Sequence, residues 1–238
     1  MKFSVTHINS IGRQVSLFFL TCVLLVFFQS SGQSSARDET EDHLIPVQRY
    51  MGSAVEYDTL WRQKLLVKSS IATFAQLPGS SGVETVVCLY RDEKHAEALP
   101  GGFWLRIAQP SRRLSDCVAS VGNAHPIDAA GVRIKVCETP LPQSTALAIQ
   151  RAWTKMLNAS KPDPKAEQRL AVDSSRELFS VSDRGETLEA EAPGISVAEL
   201  PKIKRLLEIA FALSDYCALS DDKKQQMDDW LEAAARSL

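Results

Sequence analysis

Past residue 46 the apolar positions follow two rhythms, and their order along the chain sketches a fold. Val47, Met51, Ala54, Trp61 and Leu65 are spaced mostly by three, four or seven residues, with Asp58 interrupting the stripe. This is the period of a helix with one buried face, and "LPGSSG" at 77–82 ends the segment. Four strand-like runs come next: "VETVVCLY", "FWLRIAQ", "LSDCVASV" and "GVRIKVCE". The first is nearly continuously apolar, as a central strand would be. "FWLRIAQ" puts Phe103, Leu105 and Ile107 on one face. The connectors "LPGG", Pro110 and "GNAHPIDAAG" carry turn residues and leave no room for crossover helices, so the strands should pair antiparallel.

The helical period returns from about Pro142 to Ala159, with Ile149, Ala152, Trp153 and Met156 on one side. "RELFSVSDRGETLEAEAP" then reads as a hairpin turning at Asp183-Arg184-Gly185. Ser196 to Glu199 has the spacing of a capping box, although Pro201 also suits a first helical position. The stripe that follows holds Ile203, Leu206, Leu207, Ala210, Leu213 and Cys217. Ser220, with Asp221 and Asp222, opens a last helix whose expected inner face is Met227, Trp230, Leu231 and Ala234. The fold class is α+β: an antiparallel sheet of about four strands plus a later β-hairpin, packed against amphipathic helices.

Before this domain, Val15 to Phe28 is a fourteen-residue run broken only by Ser16 and Thr21. A membrane-spanning helix needs about 20 apolar residues, whereas the core of a secretory signal needs about 7–15. Lys2 and Arg13 precede the run; Ser34-Ser35-Ala36 fits the small-x-small rule for cleavage after Ala36, and Ser30-Ser31-Gly32 allows cleavage after Gly32. Residues 1–36 therefore read as a cleaved signal peptide, 37–45 as a polar tether, and 46–238 as a single α+β domain. Cleavage removes two of the 27 basic side chains and none of the 29 acidic ones. The mild acidity that remains supplies no electrostatic attraction to nucleic acid or to anionic lipid, and no stable membrane insertion is expected after cleavage.

An exported chain changes the meaning of its cysteines. Cys88, Cys117, Cys137 and Cys217 follow the signal, an even count that suits two disulfides in an oxidising compartment. In "VRIKVCE" the apolar Val132, Ile134 and Val136 alternate with Arg133, Lys135 and Cys137. Cys137 thus shares the polar face, and a bridge from Cys117 to Cys137 across neighbouring strands is expected. Cys217, on an apolar stripe, suits a buried free thiol. No C-x-x-C is present.

Chemistry is sparse. "RDEKHAE" gathers Asp92, Glu93, His95 and Glu97, but the H-x-E lacks the later P-C-x-x-C of zinc deaminases, and a charged turn explains it. His125 and Asp128 sit in a hairpin connection. "PGSSG" lacks the spacing of a nucleophile elbow, and it precedes a strand instead of following one. H-E-x-x-H, the phosphate-binding loop and the dinucleotide fingerprint are all missing, so no cofactor or metal is expected and no catalytic residue is assigned. Tyr90 and Trp104 lie near strand ends, where they suit core packing better than a sugar-stacking platform. Asn158-Ala159-Ser160 matches the N-glycosylation pattern.

Two functions follow as expectations. One is a secreted or periplasmic, non-catalytic binding or structural domain at the cell envelope, with a protein or small-molecule partner in an extracytoplasmic compartment. The other is an exported hydrolase with its site near Asp92, Glu93, His95 and His125. The binding reading requires an exposed apolar patch or groove on the folded domain.

Overall fold

The computed structural model of the chain describes residues 42–47, 53–79, 81–91, 102–118, 127–162, 175–183, 185–192 and 200–238. The signal, most of the tether, and Asp92, Glu93, His95 and His125 lie outside the described residues.

A seven-stranded sheet forms the middle layer. Its strands are β1 (Ile45–Pro46), β2 (Ser70–Leu77), β3 (Thr85–Arg91), β4 (Phe103–Pro110), β5 (Ile134–Pro140), β6 (Arg176–Asp183) and β7 (Glu186–Glu191). They lie in the order β1-β7-β6-β2-β3-β4-β5, and every pairing is antiparallel, as short connectors require for β2 with β3, β3 with β4 and β6 with β7. The hairpin of β6 and β7 turns where expected, with Gly185 at a φ of 86° that a side chain would strain.

The strand count exceeds the expected four plus a hairpin, for two local reasons and one compensation. β2 was hidden inside the segment read as helical. "SIATFAQL" sits between β3 and β6 with both faces covered, so burial on both sides erases the alternation that marks a strand. Ile45-Pro46 is too short to show any rhythm, yet it pairs with β7 and Leu44 is fully buried, so the fold begins before Pro46. In compensation, "LSDCVASV" contributes no strand among the described residues: Leu114–Cys117 is a short 3-10 turn.

Helices cover both faces. α1 (Ser53–Leu65) lies on one side, and α2 (Gln143–Asn158), α3 (Pro201–Asp215) and α4 (Asp221–Arg236) lie on the other. Strand pleating sends alternate side chains to opposite layers. Ala75, Leu77, Val86, Cys88 and Ala108 meet Trp61 and Leu65 of α1. Phe74, Val87, Leu89, Leu105 and Phe179 meet Trp153, Leu206 and Leu213 beneath the three-helix layer. The ring of Phe179 lies between two others, tilted against Phe74 at 5.1 Å and edge-on to Trp153 at 5.3 Å.

Two long-range polar contacts tie the layers down. Asp42 accepts from the backbone N–H groups of Lys202 and Ile203 at 3.0–3.2 Å, capping the start of α3, where Pro201 occupies the first helical position. Arg106 of β4 donates to the carbonyl of Leu65 at 2.7 Å, setting a cation at the C-terminal end of α1. Ser196–Glu199 lie outside the described residues.

Parity also decides the disulfide. Cys137 is bonded to Cys217, with Cα atoms 6.5 Å apart, and not to Cys117. On β5, Ile134 faces the α1 layer, where Cys117 also lies. Cys137 is three residues on and therefore points into the opposite layer, where the turn Tyr216–Ala218 follows α3. The two cysteines of the expected Cys117–Cys137 bridge therefore lie on opposite faces of the sheet. Cys88 is a buried free thiol, and burial pushes the free Cys117 thiol above its ordinary value.

Candidate functional site: the outer face of the last two helices

α4 is turned on its axis from the position that its sequence stripe suggests. The expected inner face was Met227, Trp230, Leu231 and Ala234. The buried residues are Asp228, Leu231, Ala234 and Ala235. With about 100° per residue, Asp228 lies about 60° to one side of Leu231 and Trp230 about 100° to the other. The rotation takes a carboxylate out of water, leaving Asp228 6% exposed, and turns an indole outward, leaving Trp230 37% exposed. Met227 is only partly covered.

The neighbours explain the setting. Cys137 clamps the turn that carries Cys217, and Tyr216 of that same turn donates its hydroxyl to Asp228 Oδ1 at 2.9 Å. From the α2 side, Thr145 donates to Glu232 at 3.1 Å. Together these contacts hold α4 at an angle that hydrophobic burial alone would not choose. Burial lifts the Asp228 carboxyl above the usual carboxylate range, and it lifts the Tyr216 phenol as well.

On the outward side, α3 and α4 leave a groove of about 680 Å³. Phe211, Leu219, Met227 and Trp230 supply its apolar walls, and Glu208, Lys223 and Gln226 are its polar members. Phe211 is 39% exposed, although one edge of its ring meets the core at Phe74, with centroids 5.7 Å apart. A rigid aromatic anchored in this way offers a surface with little conformational freedom left to lose on binding. On the other side of α4, Asp228, Tyr216 and Lys224 line a smaller recess of about 320 Å³, walled by Phe103 and the Pro140–Pro142 turn.

None of these residues was singled out as a site by sequence. Phe211 falls just off the buried stripe of α3, a weak signal of exposure. Asp228 lies in "DDKKQQMDD", which reads as a solvated charged face. Tyr90 and Trp104 are direct cross-strand partners on β3 and β4, each half-buried. Asp128 is a local cap, accepting from Ala130 N–H at 2.9 Å. Asn158 is exposed at the end of α2. Among the described residues, no three His, Cys, Asp or Glu side chains gather to hold a metal, and no helix is long and apolar enough to cross a membrane. No family model, curated protein or solved structure matches the chain.

Proposed function

We propose that the protein is an exported, non-catalytic binding domain whose α3–α4 groove takes up an apolar stretch of a partner protein at the cell envelope. The observation that carries this reading is the rotation of α4, which buries Asp228 while leaving Trp230 in water. Scattered apolar residues on a surface need no explanation, but a contiguous apolar recess rimmed by polar side chains marks an interaction site. Phenylalanine, tryptophan and methionine are also the residues enriched at protein interfaces, and methionine adapts its shape to what it meets. The signal-like N-terminal run supports export, and the Cys137–Cys217 bridge is compatible with an oxidising compartment.

Site-directed photocrosslinking in the producing cell tests this reading. A photoreactive residue at Trp230 should give a discrete protein adduct that Phe211→Asp abolishes, while the same residue at Lys135 gives none. Equal labelling from both positions would refute the groove. Mass spectrometry of the native protein tests export: a chain starting at Arg37 is expected, and one starting at Met1 would remove that part of the reading.

A further inference from the structure

Asp228 raises a question that the groove does not answer. A carboxylate has room for about four hydrogen bonds, and each oxygen withdrawn from water normally has at least one partner. Asp228 recovers one, from Tyr216, and its other oxygen takes no hydrogen bond from any described residue. Elsewhere in the same molecule, Glu84, which is fully buried, has partners on both oxygens. It accepts from the Tyr57 hydroxyl at 2.9 Å, from Leu114 N–H at 3.0 Å with both oxygens, and from Ser115 N–H at 3.3 Å. The fold can therefore satisfy a buried carboxylate with its own groups, and at Asp228 it leaves one oxygen underused and open to solvent.

The underused carboxylate lines a recess. Phe103 and the Pro140, Leu141 and Pro142 turn supply its apolar walls, and Gln143 and Gln225 are its uncharged polar members. Its charged members are Asp228, Asp221 and Lys224, so the lining carries one net negative charge. Lys224 is already engaged, 3.6 Å from Asp221 and 3.4 Å from the Thr139 hydroxyl, with its ammonium 5.9 Å from the Tyr216 ring centroid. A volume of about 320 Å³ falls at the small end of ligand sites, enough for a few carbons and one polar head.

We infer that this recess is a binding site for a primary ammonium group on a short apolar body, with Asp228 as its anion. An ammonium supplies the donors that Asp228 lacks, and it balances the net charge of the lining. Its alkyl stem lies along Phe103 and the proline turn. Tyr216 is a positioning residue, fixing the carboxylate through Oδ1 and leaving the other oxygen to the ligand. The Cys137–Cys217 bond holds that tyrosine's turn against β5, so the site depends on the disulfide for its shape. The inference does not rest on the groove, whose walls come from another side of α4.

Calorimetric titration of the purified full chain tests it, with n-butylammonium chloride as probe and n-butanol as the neutral counterpart. Saturable butylammonium binding is expected, at least about tenfold tighter than butanol, as for one charge-assisted hydrogen bond. Asp228→Asn keeps the shape and should lose that preference, with folding verified by its melting curve. Trp230→Ala should bind butylammonium as the unaltered protein does. Non-saturable uptake, equal affinity for amine and alcohol, or undiminished binding by folded Asp228→Asn would each overturn the site. A loss on Trp230→Ala alone would overturn its independence from the groove.

Discussion

Glu84 and Asp228 occupy opposite layers of the molecule, and each is almost inaccessible to water, at 0% and 6% exposure. Glu84 sits on the α1 side, where its two oxygens replace their lost hydration with a phenol and two backbone N–H groups. Those bonds hold the first two N–H groups of the Leu114–Cys117 3-10 turn and tie α1 down through Tyr57, whose phenol is pushed up by burial and by the adjacent carboxylate. Asp228 receives one phenol and faces a recess. Completeness of satisfaction separates the two roles. A buried charge with all its partners is part of the scaffold, and a buried charge with one partner beside open volume is available to something else.

Removing the scaffold carboxylate should have the largest effect. Glu84→Ala orphans Tyr57 and the N–H groups of Leu114 and Ser115, each at about 1–3 kcal/mol, so a loss of about 3 kcal/mol or more is expected in urea unfolding. A loss below about 1 kcal/mol would mean that water replaces the carboxylate there, and the contrast with Asp228 would collapse. Next comes the clamp on the Asp228 side. Cys137→Ser with Cys217→Ser should cost about 2–4 kcal/mol, and thiol titration of the denatured, unreduced parent should leave Cys88 and Cys117 reactive and Cys137 and Cys217 silent.

Asp228→Asn should move stability the other way. Burial raises this carboxyl in the folded state, so the folded chain keeps the proton to higher pH than the unfolded chain does. Its contribution is fully present below the ordinary carboxylate range and is lost as the pH climbs through the raised folded value. Asp229 and Glu232 push in the same direction as burial, while Tyr216 and Lys224 oppose it. The asparagine variant should therefore gain about 0.5–2 kcal/mol near neutral pH and lack that fall with rising pH. Melting curves across pH 4 to 8 would expose the opposite sign. The smallest effect belongs to Trp230→Ala, expected within about 0.5 kcal/mol because the ring is not core. A larger drop would return Trp230 to the scaffold and leave the groove without its anchor.

Much of the architecture was legible in the one-dimensional pattern. α2 begins one residue past Pro142 and buries Ile149, Ala152, Trp153 and Met156 as its period predicts. α3 starts at Pro201 and the hairpin turns at Gly185, each marked by a residue with a restricted or unusual backbone. β2 was illegible because a strand covered on both faces has no alternation to display. The Cys117–Cys137 expectation failed for a related reason. Alternation along "VRIKVCE" correctly separated Cys137 from Ile134, but the face with Arg133 and Lys135 is covered at Cys137 by a turn some 80 residues away in the chain.

The candidate sites were not legible at all. They depend on the rotation of α4 about its own axis, a quantity that a periodic stripe fixes only to within the width of the stripe. Composition and period alone determined the α+β class, the antiparallel pairing and most helix boundaries, because these follow from short-range backbone preferences and local burial. Whether residue 228 or 230 faces inward was decided by a tyrosine in the preceding turn, by the disulfide that ties this turn to a strand 80 residues back, and by a helix more distant still from its partner on α4. Contacts of that kind form only once the chain has closed on itself, so no local pattern records them.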